Sequence, residues 1–160
     1  MPLGPRSSAS DGPAAPPFAP FFIGVGNALR RDDGVGPWLA AQLAARGRDT
    51  VAHQGDGAGL IELFRDRPDV VLLDAMQSGA APGTTRRLDA AEGPIAPALF
   101  RRSTHLFGLA EAVETARALG WLPARLIVYG IEGADFTPGS GLSSAVAAAA
   151  SDLLEALAPA

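Results

Sequence analysis

The sequence predicts an α/β protein: a three-layer α/β/α sandwich with a mostly parallel sheet of about five strands and an antiparallel edge strand. Three observations support this fold class. Short apolar runs alternate with amphipathic helical segments along the chain. The predicted strand at residues 70–74 opens with four consecutive β-branched or aliphatic residues, which is typical of a central parallel strand buried on both faces. Residues 84–88 are more polar and include two arginines, as edge strands often do.

The alternation predicts further strands and helices in a definite order. We expect the other strands at residues 22–25, 50–53 and 126–131, and helices at residues 37–46, 60–67, 105–119 and 142–157. Pro37 suits the first turn of the first helix, and Gly47 and Gly120 suit helix ends. Ser103 or Thr104 would cap the third helix, which places His105 at its N-terminus and Leu106 on its buried face.

Composition and charge narrow the class of protein. The 160 residues suit one domain, which we place at residues 21–160, after a disordered tail at residues 1–20 that is rich in Pro, Ala and Ser. A net charge of −4 argues against nucleic-acid binding, and no apolar run approaches the length of a membrane span. The absence of cysteine excludes a thiolate nucleophile or ligand. We expect a cytoplasmic protein, and a monomer because the edge strand is charged.

Three side chains that could act together follow predicted strands or begin a helix. Asp33 follows the first strand, Asp74 follows the strongest strand, and His105 begins the third helix. Parallel strands end at the same edge of a sheet, so the two carboxylates can converge. A helix N-terminus disfavours protonation of a histidine, which would keep His105 in the neutral form that binds metal. Two oxygens and one nitrogen suit Ni²⁺, Zn²⁺ or Fe²⁺, with a position left open for substrate or water.

Each of these residues also has a purely structural interpretation. Asp33 alone could be a solvated loop residue, Asp74 could cap a turn, and His105 could simply pack at a helix end. His53 lies within a strand, and we interpret it as structural. Asp56 and Asp135, which also lie in loops after strands, are weaker candidates.

The loop after the first strand is too acidic for a good phosphate site. Gly24-Val25-Gly26 could open a dinucleotide-binding fingerprint, but Leu29 stands where the third glycine belongs. The carboxylates of this loop would repel a phosphate. A nucleotide-binding enzyme is therefore an alternative, not the first hypothesis.

Several segments, in order along the chain, resemble the hydrogenase maturation proteases, which process the large subunit of nickel–iron hydrogenases. The resemblance covers nearly all of residues 22–157 and rests on Gly24-Val25-Gly26-Asn27, Asp32-Asp33-Gly34-Val35-Gly36, Gly59-Leu60, residues 70–75, Pro82-Gly83-Thr84, Ser103-Thr104-His105, Gly108-Leu109 and Tyr129-Gly130-Ile131-Glu132. Two positions depart from the family: position 33 is aspartate where glutamate is frequent, and Gly55-Asp56-Gly57-Ala58 replaces an Asp-Gly-Gly-Thr pattern.

The resemblance implies an aspartyl-type endopeptidase that removes a C-terminal extension from the large-subunit precursor after nickel insertion. It implies that Asp33, Asp74 and His105 contact the nickel and are the catalytic and metal-binding residues. The nickel would arrive with the nickel-loaded precursor and would not be a permanent cofactor. A non-catalytic nickel-sensing assembly partner using the same site is a second alternative.

Overall fold

The computed structural model describes residues 18–100 and 106–160. Five strands and four helices alternate through these residues, with short 3-10 turns at Arg31–Gly34 and Pro97–Phe100. The elements are β1 (Phe21–Val25), α1 (Val35–Ala45), β2 (Thr50–His53), α2 (Gly57–Phe64), β3 (Asp69–Met76), β4 (Thr85–Asp89), α3 (Leu109–Leu119), β5 (Arg125–Glu132) and α4 (Ser144–Leu157). Residues 1–17, which form most of the predicted tail, lie outside the described residues.

The five strands form one sheet in the order β2-β1-β3-β5-β4. Only the β4–β5 pair is antiparallel, with Arg87 opposite Tyr129. The predicted fold class and the predicted edge strand are thus confirmed. The chain moves outward from β1 to β2 on one side and from β3 to β5 on the other. The reversal point therefore lies between β1 and β3, and open α/β sheets bind ligands at such a point.

Each face of the sheet is covered by two helices, and each layer has its own apolar core. α1 and α4 cover one face, where Leu39, Leu43 and Val146 pack on Leu73 and Ile127. α2 and α3 cover the opposite face. Their buried residues, among them Leu60, Phe64, Leu109 and Val113, belong to the same apolar cluster as Leu72 of β3. Alternate side chains of β3 contribute to the two cores, which explains why the four residues after Asp69 are all apolar.

Helix α2 begins three residues earlier than predicted. The sequence has three glycines between residues 55 and 59, so this stretch reads as a loop. In the structure, Oδ1 of Asp56 accepts a hydrogen bond from Gly59 N at 2.8 Å and caps a helix that starts at Gly57. A side-chain cap supplies an acceptor to the first turn and offsets the low helix propensity of glycine there.

Helix α3 begins later than predicted. The helix starts at Leu109 with Gly108 as its N-cap, and Glu111 accepts a hydrogen bond from Gly108 N at 3.2 Å. Leu106, predicted to be buried on this helix, is fully exposed. The prediction that residues 106–108 belong to this helix was therefore wrong, whereas His105 lies outside the described residues.

Among residues 18–100 and 106–160, every helix is too short or too polar to span a bilayer.

Candidate active site

Asp33 and Asp74 both lie at the carboxyl edge of the sheet, on either side of the reversal point. Asp33 belongs to the 3-10 turn that connects β1 to α1. Asp74 is the sixth residue of β3, a strand that continues two residues beyond it, so Asp74 lies within the strand and not after it as predicted. β1 and β3 are paired, with Gly24 opposite Leu73. Adjacent parallel strands thus deliver the two carboxylates to one place.

Glycines allow α1 to approach the ends of these strands closely enough to bring Asp33 over them. A Cβ atom at Gly36 would lie 2.2 Å from the carbonyl oxygen of Val25 and 2.5 Å from that of Leu73. Gly26 has φ of +139°, and a Cβ there would lie 1.9 Å from the carbonyl oxygen of Asp33. Such distances are impossible for any residue with a side chain. The glycines therefore set the position of the acidic loop.

The Asp33 side chain is partly buried and anchored through one of its carboxylate oxygens. Its Oδ2 accepts a hydrogen bond from Asn27 N at 2.9 Å. Burial raises the pKa of Asp33, against smaller lowering effects of the Asn27 hydrogen bond and the Arg30 charge. Within the described part of the chain, Oδ1 has no hydrogen-bond donor, so this oxygen is free to bind a ligand.

Asp74 is in a less favourable position for a negative charge. Burial and the nearby charge of Asp33 raise its pKa well above the ordinary value, and only the hydrogen bond from Ala75 N to Oδ1, at 2.8 Å, opposes them. No cationic side chain among the described residues pairs with it. Two carboxylates that repel each other in a partly buried place are stabilised by a cation between them, because the cation removes the repulsion and supplies the missing counter-charge.

His105, the predicted third ligand, lies outside the described residues. The segment that follows it is fixed against α2, because Gly57 N donates a hydrogen bond to the carbonyl oxygen of Phe107 at 2.8 Å. The described residues by themselves contain no group of three His, Asp or Glu side chains that could hold a metal. They bring two carboxylates together, and the assignment of Asp33, Asp74 and His105 as metal ligands stays a prediction.

The glycine turn after β1 does not form a phosphate cradle. Its backbone N–H groups are already used: Gly26 N donates to the carbonyl oxygen of His53 at 3.0 Å, and Asn27 N donates to the carboxylate of Asp33. The turn thus already binds an anion, the carboxylate of Asp33. This geometry disfavours the nucleotide-binding alternative, since a phosphate would have to displace that carboxylate.

Asp32, next to Asp33, is a structural residue whose importance the sequence did not reveal. It is fully buried. Its carboxylate accepts hydrogen bonds from Ala134 N, Asp135 N and Ser143 N, and from Ser143 Oγ, at 2.7–2.9 Å. Burial alone would raise its pKa, but these bonds outweigh burial and lower it. Asp32 thereby fastens the acidic loop to the loop after β5.

Glu132 is a second buried acid with a structural role. At the end of β5, its carboxylate accepts hydrogen bonds from Ser78 N, Gly79 N and Ser78 Oγ at 2.8–3.1 Å. These contacts hold the loop after β3 beside Asp74. The sequence marked Glu132 only as part of the family resemblance, because a glutamate at a strand end gives no sign of its distant partners.

The weaker candidates have local roles. His53 Nδ1 accepts a hydrogen bond from Gly55 N at 2.9 Å, and Nε2 lies 3.3 Å from Asp56 Oδ2. Asp56 caps α2 as described above. Asp135 accepts hydrogen bonds from Thr137 N and Oγ1 and lies 3.4 Å from Arg31 Nε. These contacts agree with the structural interpretation of His53 and leave Asp56 and Asp135 without a role at the carboxylate pair.

Fold and site together define a class: an open α/β protein with two neighbouring carboxylates where the strand order reverses. Comparison with known proteins gives the family. Residues 42–160 match the model of the HycI hydrogenase maturation protease family. The Hydrogenase 2 maturation protease of Escherichia coli K12 is 32% identical over 143 residues, which are 84% of this chain and 85% of that protein. The hydrogenase expression/formation protein HupD of Rhizobium leguminosarum is 28% identical, over 81% of this chain and 67% of that protein.

Solved structures agree with these matches. An endopeptidase from Escherichia coli, solved in solution, superposes with a TM-score of 0.72 and 26% identity, covering 86% of this chain and 89% of that one. The hydrogenase maturating endopeptidase HybD of Escherichia coli has the same fold, with a TM-score of 0.67 over 88% of this chain and 90% of that one. This chain belongs to the hydrogenase maturation protease family and is a peptidase.

Proposed function

We propose that this protein is the endopeptidase that removes the C-terminal extension of a nickel–iron hydrogenase large-subunit precursor after nickel has been inserted. In this proposal the nickel belongs to the precursor and is the feature that the enzyme recognises. Asp33, Asp74 and His105 contact it. Family membership supports the reaction class, and the paired carboxylates support the recognition of a cation.

The observation that carries the proposal is the mutual repulsion of Asp33 and Asp74. The pKa of Asp74 is raised by burial and by Asp33, and the described residues offer it no cation. A precursor without nickel would present no positive charge to this pair. A nickel-loaded precursor brings the missing cation, so its binding removes the repulsion. In this proposal, the relief of that repulsion favours cleavage of the nickel-loaded precursor.

The same residues can take part in hydrolysis. A metal ion beside the scissile bond polarises its carbonyl group or activates a water molecule. The attacking water must also lose a proton, and a carboxylate whose pKa is raised accepts a proton more readily than an ordinary aspartate. One of the two aspartates would serve as this general base, and the carboxylate of Asp33 is already anchored by Asn27 N.

The test is a cleavage assay with purified components. The protein is incubated with nickel-loaded and with nickel-free precursor, and mass spectrometry follows the precursor. We expect a mass loss at the C-terminus only for the nickel-loaded form. Binding without cleavage would instead identify the protein as a nickel-sensing assembly partner, and equal cleavage of both forms would contradict the recognition of nickel.

Single-residue variants test the roles of the site residues in processing. Asp74→Ala and His105→Ala should remain folded, as judged by circular dichroism, and should not process the precursor. Asp66→Asn is the matched control, because Asp66 is an exposed aspartate beyond α2 and its loss should leave processing unchanged. Normal processing by both site variants would refute the assignment.

A further inference from the structure

Arg30 is a charged side chain beside the carboxylate pair for which the proposed chemistry has no use. It lies three residues before Asp33 and is partly buried. Its charge lowers the pKa of Asp33, so the guanidinium lies within electrostatic reach of that carboxylate. A buried cation so close to a cation-binding site would weaken metal binding. Its presence there calls for a second function.

The guanidinium group is fixed by one contact and free at its far end. Arg30 Nε donates a hydrogen bond to the carbonyl oxygen of Phe136 at 3.3 Å. No acceptor among residues 18–100 and 106–160 contacts the two terminal nitrogens. The anchoring bond restricts the orientation of the planar group, and the two free nitrogens form the fork that binds a carboxylate through two parallel hydrogen bonds.

Arg30 lines a cleft large enough for a substrate side chain. The cleft measures about 380 Å³ and is lined by Arg30, Gln77 and residues 133–138. Gln77 follows the last residue of β3, and Gly133 follows the last residue of β5, so the cleft opens at the same edge of the sheet as Asp74. Asp135 at its rim is already occupied by Thr137 and Arg31. Arg30 connects the cleft to the carboxylate pair, because it lines the cleft and its charge acts on Asp33.

The charges of Asp33, Asp74 and Arg30 link anion binding in the cleft to metal binding at the carboxylate pair. Without nickel, Asp33 compensates the charge of Arg30, and the two aspartates repel any further anion. With nickel bound, the charges of Asp33 and Asp74 are neutralised, and Arg30 is left as an uncompensated cation. A cation at the carboxylate pair would therefore strengthen the attraction of the cleft for an anion.

We propose that Arg30 is a specificity-determining residue that binds a carboxylate of the nickel-loaded precursor in this cleft. The carboxylate is either an acidic side chain beside the cleavage site or the terminal carboxylate of the extension. The inference rests on the proposed function, since it assigns a second contact to the same substrate. Arg30 acts on binding and takes no part in bond cleavage.

The experiment measures cleavage of nickel-loaded precursor by wild-type protein, Arg30→Met and Arg30→Lys. Arg48→Met is the control, because Arg48 is equally charged but exposed in the loop before β2, at the opposite edge of the sheet. We expect Arg30→Met to raise KM about tenfold with kcat within about twofold of wild type, which corresponds to one lost charge-assisted bond. Arg30→Lys should be intermediate, because it keeps the charge but not the fork. Arg48→Met should match wild type.

Precursor variants identify the carboxylate. Acidic residues next to the cleavage site are changed singly to their amides, and in a separate precursor two glycines are added to the C-terminus to displace the terminal carboxylate. One of these precursors should show the same tenfold rise in KM with wild-type protein and no further rise with Arg30→Met.

The outcomes separate the two proposals. Unchanged KM for Arg30→Met with active wild-type protein overturns the role of Arg30 and leaves the proposed function intact. A fall in kcat at constant KM, or an equal loss in Arg48→Met, also overturns it. Failure of the wild-type protein to cleave nickel-loaded precursor overturns the proposed function itself.

Discussion

Asp33 raises the pKa of Asp74 across the boundary between β1 and β3, in addition to the larger effect of burial. The two residues lie 41 positions apart in the sequence and meet because their strands are neighbours. A raised pKa means that the folded protein holds this proton more tightly than the unfolded chain does. The ionised pair therefore destabilises the fold, and the destabilisation sets in as the pH rises above the ordinary pKa of aspartate.

We predict that Asp74→Asn stabilises the protein while abolishing processing. The amide keeps the shape of the side chain and an oxygen for Ala75 N, but it cannot carry the charge that burial and Asp33 oppose. The free energy of unfolding at pH 7 should rise by about 0.5–2 kcal/mol, as is usual when a strained functional residue is replaced. Urea unfolding at pH 4 and pH 7 measures this change. The gain should be smaller at pH 4, and a loss of stability at pH 7 would contradict the electrostatic argument.

We predict that Asp33→Asn lowers the pKa of Asp74. The substitution removes the neighbouring charge, but burial remains, so the pKa of Asp74 should fall and still exceed that of an ordinary aspartate. Carbon-13 NMR titration of the aspartate carboxyl groups measures the shift. Asp135→Asn, which removes a carboxylate from the loop after β5, is the control and should leave the pKa of Asp74 unchanged. An unchanged pKa in Asp33→Asn would show that the two carboxylates do not interact.

Asp32→Asn should lower stability by about 3 kcal/mol, although it changes only one side-chain atom. An amide group has one oxygen and would turn its NH₂ group towards N–H donors, leaving buried groups without partners. Ser143→Ala, which removes only the hydroxyl bond to Asp32, should cost about 1 kcal/mol. Urea unfolding at pH 7 compares the two variants.

The effect of Asp32 on stability should depend on pH. Because the pKa of Asp32 is lowered in the folded state, its contribution is fully present above the ordinary aspartate pKa of about 4. The contribution should disappear as the pH falls through the lowered pKa, so the wild-type protein and Asp32→Asn should converge in acid. A difference that stays constant down to pH 2 would contradict the assignment.

Gly36→Ala should destabilise the protein by about 3 kcal/mol or more, because the added Cβ would overlap backbone atoms of both β1 and β3. Backbone cannot move aside as a flexible side chain can. Gly93→Ala is the control, since a Cβ at Gly93 has no neighbour within 4 Å among the described residues, and its effect should stay within about 0.5 kcal/mol. Thermal unfolding followed by circular dichroism measures both variants, and equal melting temperatures would contradict the proposed close approach.

Local patterns predicted the strands well and the helix starts less well. The apolar run of β3 and the charged run of β4 were identified because burial on two faces, or exposure at an edge, acts directly on composition. The starts of α2 and α3 were missed by three and four residues, respectively. Each start depends on a hydrogen bond, from Gly59 N to Asp56 and from Gly108 N to Glu111, and such a bond is not visible in the hydrophobic pattern.

The sequence by itself determined the succession of strands and helices, the edge strand, and the assignment of Asp33 and Asp74 to the carboxyl edge of the sheet, because each follows from residues close together in the chain. Only the tertiary structure decided that Asp32 and Glu132 are buried and hydrogen-bonded to distant loops. It also decided that the turn at Gly26 binds the carboxylate of Asp33 and that Arg30 lines a cleft. These properties depend on partners from distant segments. The physical reason is that burial, charge and hydrogen bonding depend on which groups are close in space. A single sequence does not reveal which distant groups the folded chain brings together.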